Sequence, residues 1–147
     1  MDLLLWRHAD AEDGIPDGER KLTPKGHKQA KRMAAWLKAR LPKGAVVLAS
    51  PARRARETAQ ALTKKFEVSR EVGTEATPQS VLKAAGWPRG ESTVVVVGHQ
   101  PTLGQVAALA LTGEPADWSI KKGAVWWLAS RQHDEAVVRA VIAPDMA

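Results

Sequence analysis

Four consecutive valines, Val94 to Val97, run without interruption into Gly98-His99. A short β-branched run closed so sharply reads as a buried strand. Two other apolar runs close in the same way: Leu3-Leu4-Leu5-Trp6 ends at Arg7-His8, and Ala45 to Ala49 ends at Ser50-Pro51. Helical patterns lie between them. Thr23-Pro24 joins a hydroxyl N-cap to proline at the first helical position. Ala30, Met33, Ala34, Leu37 and Leu41 then recur at helical spacing until Pro42 and Gly44. Ser50-Pro51 repeats the start signal and predicts a helix from Ala52 to about Phe66. Pro101 opens another through about Leu111, closed by Gly113 and Pro115. A short strand is expected around residues 67–72, and a short helix from near Pro78. A closing antiparallel pair is expected over Ala124 to Ser130 and Ala136 to Ile142, turning near Gln132-His133-Asp134. Strands alternating with helices predict an α/β fold, a three-layer α/β/α sandwich on a mainly parallel sheet.

The 147 residues suit one domain, residues 1–147, with a real core. No apolar run approaches the roughly 20 residues that span a bilayer. The N-terminus has Asp2 and no basic region before its apolar run, so no membrane segment or signal peptide is expected. With no cysteine there is no disulfide, thiolate nucleophile or thiolate metal site, and the expected compartment is the cytoplasm. A net charge of +6 favours anionic partners. The basic residues are dispersed, with clusters at Lys28-Lys31-Arg32, Arg53-Arg54-Arg56 and Lys64-Lys65, and aromatic residues make up only 5%. That pattern favours phosphorylated ligands over nucleic acid, which would need a basic stripe with interleaved stacking aromatics.

Ligands of open α/β sheets bind beyond the carboxyl ends of the strands. Three strands are predicted to end at Arg7-His8, Ser50 and Gly98-His99, and the last two run straight into helix N-termini. Arg54, in the first turn of the second helix, can point back into the same crevice. This grouping suits phosphoryl chemistry. A neutral His8 can attack phosphorus through one ring nitrogen while the other is held by a carbonyl or carboxylate. Arg7, Arg54 and His99 can bind the equatorial oxygens and stabilise the in-line transition state. Several cationic groups already neutralise those oxygens, so no metal or other cofactor is expected.

The residues also carry a family resemblance. Arg7-His8-Ala9-Asp10-Ala11 closes the first strand, followed by Arg20 with Leu22-Thr23 and Gly26. Ser50-Pro51 with Arg54-Ala55 and Thr58, and Gly98-His99-Gln100-Pro101, complete four ordered motifs. The chain resembles the histidine phosphatase superfamily, with its phosphoglycerate mutase-like fold, and in particular its small phosphohistidine phosphatases of the SixA type. The resemblance implies His8 as nucleophile and Arg7, Arg54 and His99 as the phosphate pocket, with Arg20 as an accessory anion contact. It selects Arg54 over Arg53 and Arg56. The implied reaction is removal of phosphate from phosphohistidine in a protein, such as a phosphotransfer domain.

Two positions depart from the family pattern. Ala9 stands where the signature has glycine. Larger members carry an acidic general acid between the Arg-bearing helix and the second histidine, where this chain offers only Glu71, Glu75 and Glu91 without a motif. An imidazole leaving group can depart already protonated and needs less help than an alkoxide, which favours a P–N substrate. The alternatives are a phosphatase of small esters or sugar phosphates, served by Glu71 or Glu75, and a non-catalytic phosphate-binding adaptor. His27 and His133 read as structural or exposed. The Trp residues read mainly as core or rim fillers, with Trp6 and Trp87 as candidates for the cleft wall. Nothing near His8, Asp10 and His99 has local metal-ligand spacing.

Overall fold

A computed structural model of the protein describes residues 1–132 and 135–147. Six strands form one sheet: β1 (Asp2–Arg7), β2 (Val46–Ala49), β3 (Glu67–Val68), β4 (Val94–Gly98), β5 (Val125–Ser130) and β6 (Ala136–Ile142). Their order is β3-β2-β4-β1-β5-β6. Neighbours from β3 to β1 pair in parallel, whereas β5 and β6 are added antiparallel. The helices are α1 (Pro24–Lys38), α2 (Arg53–Leu62), α3 (Pro78–Ala85) and α4 (Thr102–Thr112).

Period-2 alternation along the strands divides the core. Leu4, Trp6, Val95 and Val97 pack with Met33 and Leu37 of α1 and Ala55 and Ala59 of α2. Leu3, Leu5, Val94 and Val96 pack with Val81 of α3 and Leu103 and Val106 of α4. Continuous apolar strands are what a sheet covered on both faces requires. The mainly parallel three-layer sandwich is therefore the observed fold.

Thr23 caps α1 as expected, its Oγ1 accepting from the Gly26 amide at 2.9 Å with Pro24 following. Gly26 has a separate reason to be glycine. A Cβ there would lie 2.0 Å from the Asp10 carbonyl oxygen, so only a bare backbone lets α1 approach the loop after β1.

Element ends differ from expectation. The α1 helix stops at Lys38, where Arg40 and Leu41 amides both return to the Leu37 carbonyl in a tight turn. The α2 helix stops at Leu62, and the Thr63 hydroxyl then accepts from the Lys65 amide, a local bond that competes with continued helix. The strand expected over 67–72 is two residues long, and Arg70–Val72 forms a 3₁₀ turn. Ser50 is not the N-cap of α2; that position is Ala52, without a side-chain cap. The turn expected near Gln132-His133-Asp134 falls at His133 and Asp134 outside the described residues. No helix among the described residues is long and apolar enough to cross a membrane.

Candidate active site

In-register pairing of β1 with β4 sets Arg7 opposite Gly98, and the His8 amide donates to the Gly98 carbonyl at 3.0 Å. The two following side chains, His8 and His99, therefore leave the sheet side by side, their ring centroids 5.2 Å apart. Both are buried. A cavity of about 300 Å³ opens over them, lined also by Arg7, Arg20, Arg54 and Lys122. The sequence-predicted set thus converges on one pocket.

The His8 Nδ1 lies 2.8 Å from the Ala9 carbonyl oxygen. A carbonyl only accepts, so Nδ1 carries the proton and Nε2 keeps its lone pair. Burial first, then the nearby Arg54 and Arg7 guanidinium groups, lower the His8 pKa to about 4 against the opposing Ala9 hydrogen bond. His8 is a neutral base at pH 7. His99 is lowered to about 3 by burial, and then by His8 and Arg54. Its Nε2 sits 2.7 Å from Ser50 Oγ, and its Nδ1 lies 3.4 Å from an Arg54 terminal nitrogen. Arg54 only donates, so Nδ1 is the acceptor and Nε2–H points at Ser50. The hydroxyl read as a helix signal is thus a partner of His99.

Arg54 is buried, and Thr58 fixes its backbone: the Thr58 hydroxyl donates to the Arg54 carbonyl at 2.7 Å and accepts from the Ala9 amide at 3.1 Å. This bond locks α2 to the loop after β1. Arg7 donates one terminal nitrogen to the Ile120 carbonyl at 2.9 Å. The Nε atoms of both Arg7 and Arg54 are buried without a hydrogen-bond partner. Leaving such donors unmet costs about 1–3 kcal/mol each.

Arg20 reaches the pocket from the loop, its Nε donating to the Glu12 carbonyl at 2.7 Å and a terminal nitrogen to Asp17 Oδ1 at 3.0 Å. Asp17 was not anticipated. Its Oδ2 accepts from Arg54 at 3.1 Å, and its carbonyl takes the other Arg54 terminal nitrogen at 2.9 Å. Arg20 and then Arg54 hold its carboxyl below the usual carboxylate range. The available signal was the Asp17–Arg20 spacing of a carboxylate three residues before a guanidinium, in a Gly- and Pro-bearing loop.

Other expectations resolve differently. Glu71 and Glu75 line a neighbouring groove and not the pocket of the two histidines. Trp6 is fully buried with its indole N–H on the Gly123 carbonyl, and Trp87 packs against the core beside α3. The Ala9 methyl is buried against Leu22 and Ala30. Arg53 faces Glu57, and Arg56 turns back to the Pro51 carbonyl. Asp10 is engaged by Thr23 and Lys122, and no three of its kind with His or Glu form a metal-holding group among the described residues.

Fold and pocket together define an α/β protein whose strand ends bring paired imidazoles and guanidinium groups into one cavity. The sequence model of the histidine phosphatase superfamily (branch 1) matches residues 3–77. The phosphohistidine phosphatase SixA of Escherichia coli (strain K12) is 32% identical over 123 residues, covering 78% of this chain and 76% of that protein. An uncharacterized protein of Mycobacterium leprae (strain TN) is 39% identical over 106 residues, 69% of this chain. The chain spans 63% of that relative's length. The solved structure of the protein histidine phosphatase SixA complexed with tungstate superposes with a TM-score of 0.85 at 25% identity, over 99% of this chain and 98% of the other. The chain belongs to the histidine phosphatase superfamily, branch 1.

Proposed function

We propose that the protein is a metal-independent phosphatase that works through a phospho-His8 intermediate and takes its phosphoryl group from phosphohistidine in a protein. One observation carries the reading: a neutral, buried His8 with Nε2 free stands beside His99 in one pocket with the Arg7 and Arg54 guanidinium groups. Guanidinium groups are suited to bind phosphoryl oxygens through charge-assisted hydrogen bonds. The similarity to the SixA phosphatase, and to a structure of it with the tetrahedral oxyanion tungstate, supports the same reading.

The proton balance favours a P–N bond. A phosphoimidazole ring protonated on its far nitrogen transfers its phosphoryl group to His8 Nε2, and the P–N electron pair returns to the ring, which leaves neutral. His8 already carries its Nδ1 proton, so no proton moves in this step. Water then attacks phosphorus, the His8–phosphorus bond breaks, and dihydrogen phosphate departs with both water protons. An ester would instead expel an alkoxide and need an acid. Arg7 and Arg54 hold the oxygens, with Arg20 as the outer contact, and His99 joins them when its Nε2–H turns from Ser50 Oγ to the phosphoryl group.

A protein-borne phosphate suits a pocket that opens directly onto surface grooves. One of these, about 600 Å³, shares Arg7 and Lys122 with the pocket and is lined by Lys25, Lys28 and Lys121. The cytoplasm, where phosphotransfer proteins work, belongs to the same reading.

The test is phosphate release in EDTA by wild-type and His8→Ala protein, from a phosphohistidine-bearing protein and from p-nitrophenyl phosphate. Fast release from the first that vanishes in His8→Ala, with acid-labile label trapped on the wild type, is the expected result. Better turnover of the ester points to a small-molecule phosphatase. No release from either, with phosphate still bound, points to an adaptor.

A further inference from the structure

Asp17 is the carboxylate that lines the pocket of the two histidines, and with Thr74 it also lines the neighbouring groove of about 720 Å³. The same groove carries Glu19, Glu71 and Glu75, with Arg70. The pocket is therefore bipolar. Cations gather around the place for phosphoryl oxygens, and a carboxylate stands at the exit toward the groove.

Asp17 need not leave for a phosphoryl group to enter. It occupies the two terminal nitrogens of Arg54, whereas Arg7 in the same pocket gives one terminal nitrogen to the Ile120 carbonyl and keeps the other for a ligand. The Arg7 guanidinium can hold a phosphoryl oxygen with Asp17 still in place, which leaves the carboxylate facing the substrate.

We infer that Asp17 is the specificity-determining residue of this site, selecting phosphoryl groups on a leaving group that is cationic before transfer, such as a protonated imidazole, over dianionic phosphate esters. The inference rests on the phosphatase reading above. Asp17 accepts from the far ring N–H of the substrate and keeps that ring protonated, so the P–N pair returns to a neutral imidazole. For an ester the same carboxylate repels the phosphoryl dianion and offers no proton. Its guanidinium partners stabilise the ionised form, which makes it a poor acid.

Asp17→Asn tests this, because it keeps the side-chain shape and one acceptor while removing the charge. The probes are phosphoimidazole and p-nitrophenyl phosphate, chosen so that docking of a protein substrate plays no part. Relative to wild type, kcat/KM for phosphoimidazole should fall ten-fold or more, while that for p-nitrophenyl phosphate holds or rises. Inorganic phosphate should bind the variant more tightly, read as a larger thermal shift. Equal falls on both substrates assign Asp17 a structural role only, and equal rises make it a simple plug; either overturns the inference. Unchanged phosphate binding also overturns it. Failure of the phosphatase reading looks different: wild type and His8→Ala would then release phosphate alike from both probes.

Discussion

His8, Ser50 and His99 sit at the ends of hydrogen-bonded strands with at most 7% of their surface exposed, whereas the Asp17 side chain reaches the same pocket from a loop and is 59% exposed. The first group is fixed by sheet register and by Thr58. The second is held by ion pairs and a few bonds to loop carbonyls. The difference teaches a division of labour. Groups that must meet phosphorus with small positional error stand on strands and a helix turn. Groups that discriminate between leaving groups stand where the chain is free to vary.

Substitutions in the two halves should therefore differ in size. Arg54→Ala, on the rigid side, should lower kcat/KM by about 100- to 1,000-fold, the usual cost of a lost transition-state donor, measured with the phosphohistidine protein. A loss below ten-fold would erase the distinction between the halves.

The buried histidines should also dominate the pH dependence. Because the His8 pKa is lowered to about 4, the acid limb of kcat/KM should fall near pH 4 and not near 6.5. Stability follows the same groups. The unfolded chain takes up these protons near pH 6.5, the folded chain only at about 4 and about 3. Stability is then full above about pH 6.5 and is lost as pH falls, at up to about 1.4 kcal/mol per pH unit for each histidine. Denaturant midpoints across pH 4–7 check this, and the slope should flatten in His8→Asn and His99→Asn.

Thr58→Val removes the hydroxyl that joins Ala9 to Arg54 and should cost about 1–3 kcal/mol by denaturant unfolding. Arg20→Ala, on the loop side, is expected to have the smallest effect, a few-fold in KM with kcat held. A loss from Arg20→Ala that matched Arg54→Ala would show that the loop is as much a part of the catalytic frame as the strands.

The same division explains what could be read from the sequence. Arg7, His8 and His99 follow apolar runs, and a strand end is a local pattern; the helix start brings Arg53, Arg54 and Arg56 near the same rim, and only the family resemblance selects Arg54 among them. Thr23-Pro24 is local too, and it caps α1 as read. For Asp17 the local Asp17–Arg20 spacing points only to an ion pair within the loop; its place in the pocket depends on that loop folding back across α2 to Arg54. Ser50 was misread for a related reason. The same hydroxyl chemistry that caps a helix also binds an imidazole, and only the pairing of β2 with β4 brings His99 within 2.7 Å. Helix ends were overextended because Leu41 and Phe66 keep apolar character after the helical bonds have stopped, and both still pack against the core.

The register that sets Arg7 opposite Gly98 also carries a kinetic consequence. Because β4 lies between β2 and β1, a nascent chain has no pocket until residue 99 has emerged and threaded the middle of the sheet. An oxyanion bound there, as proposed, would clasp segments from both halves of the chain at once. It acts as a non-covalent cross-link, stabilising the folded form by about 2.7 kcal/mol at a hundred times its Kd. Phosphate present in the denaturant should accordingly slow the unfolding of the whole chain.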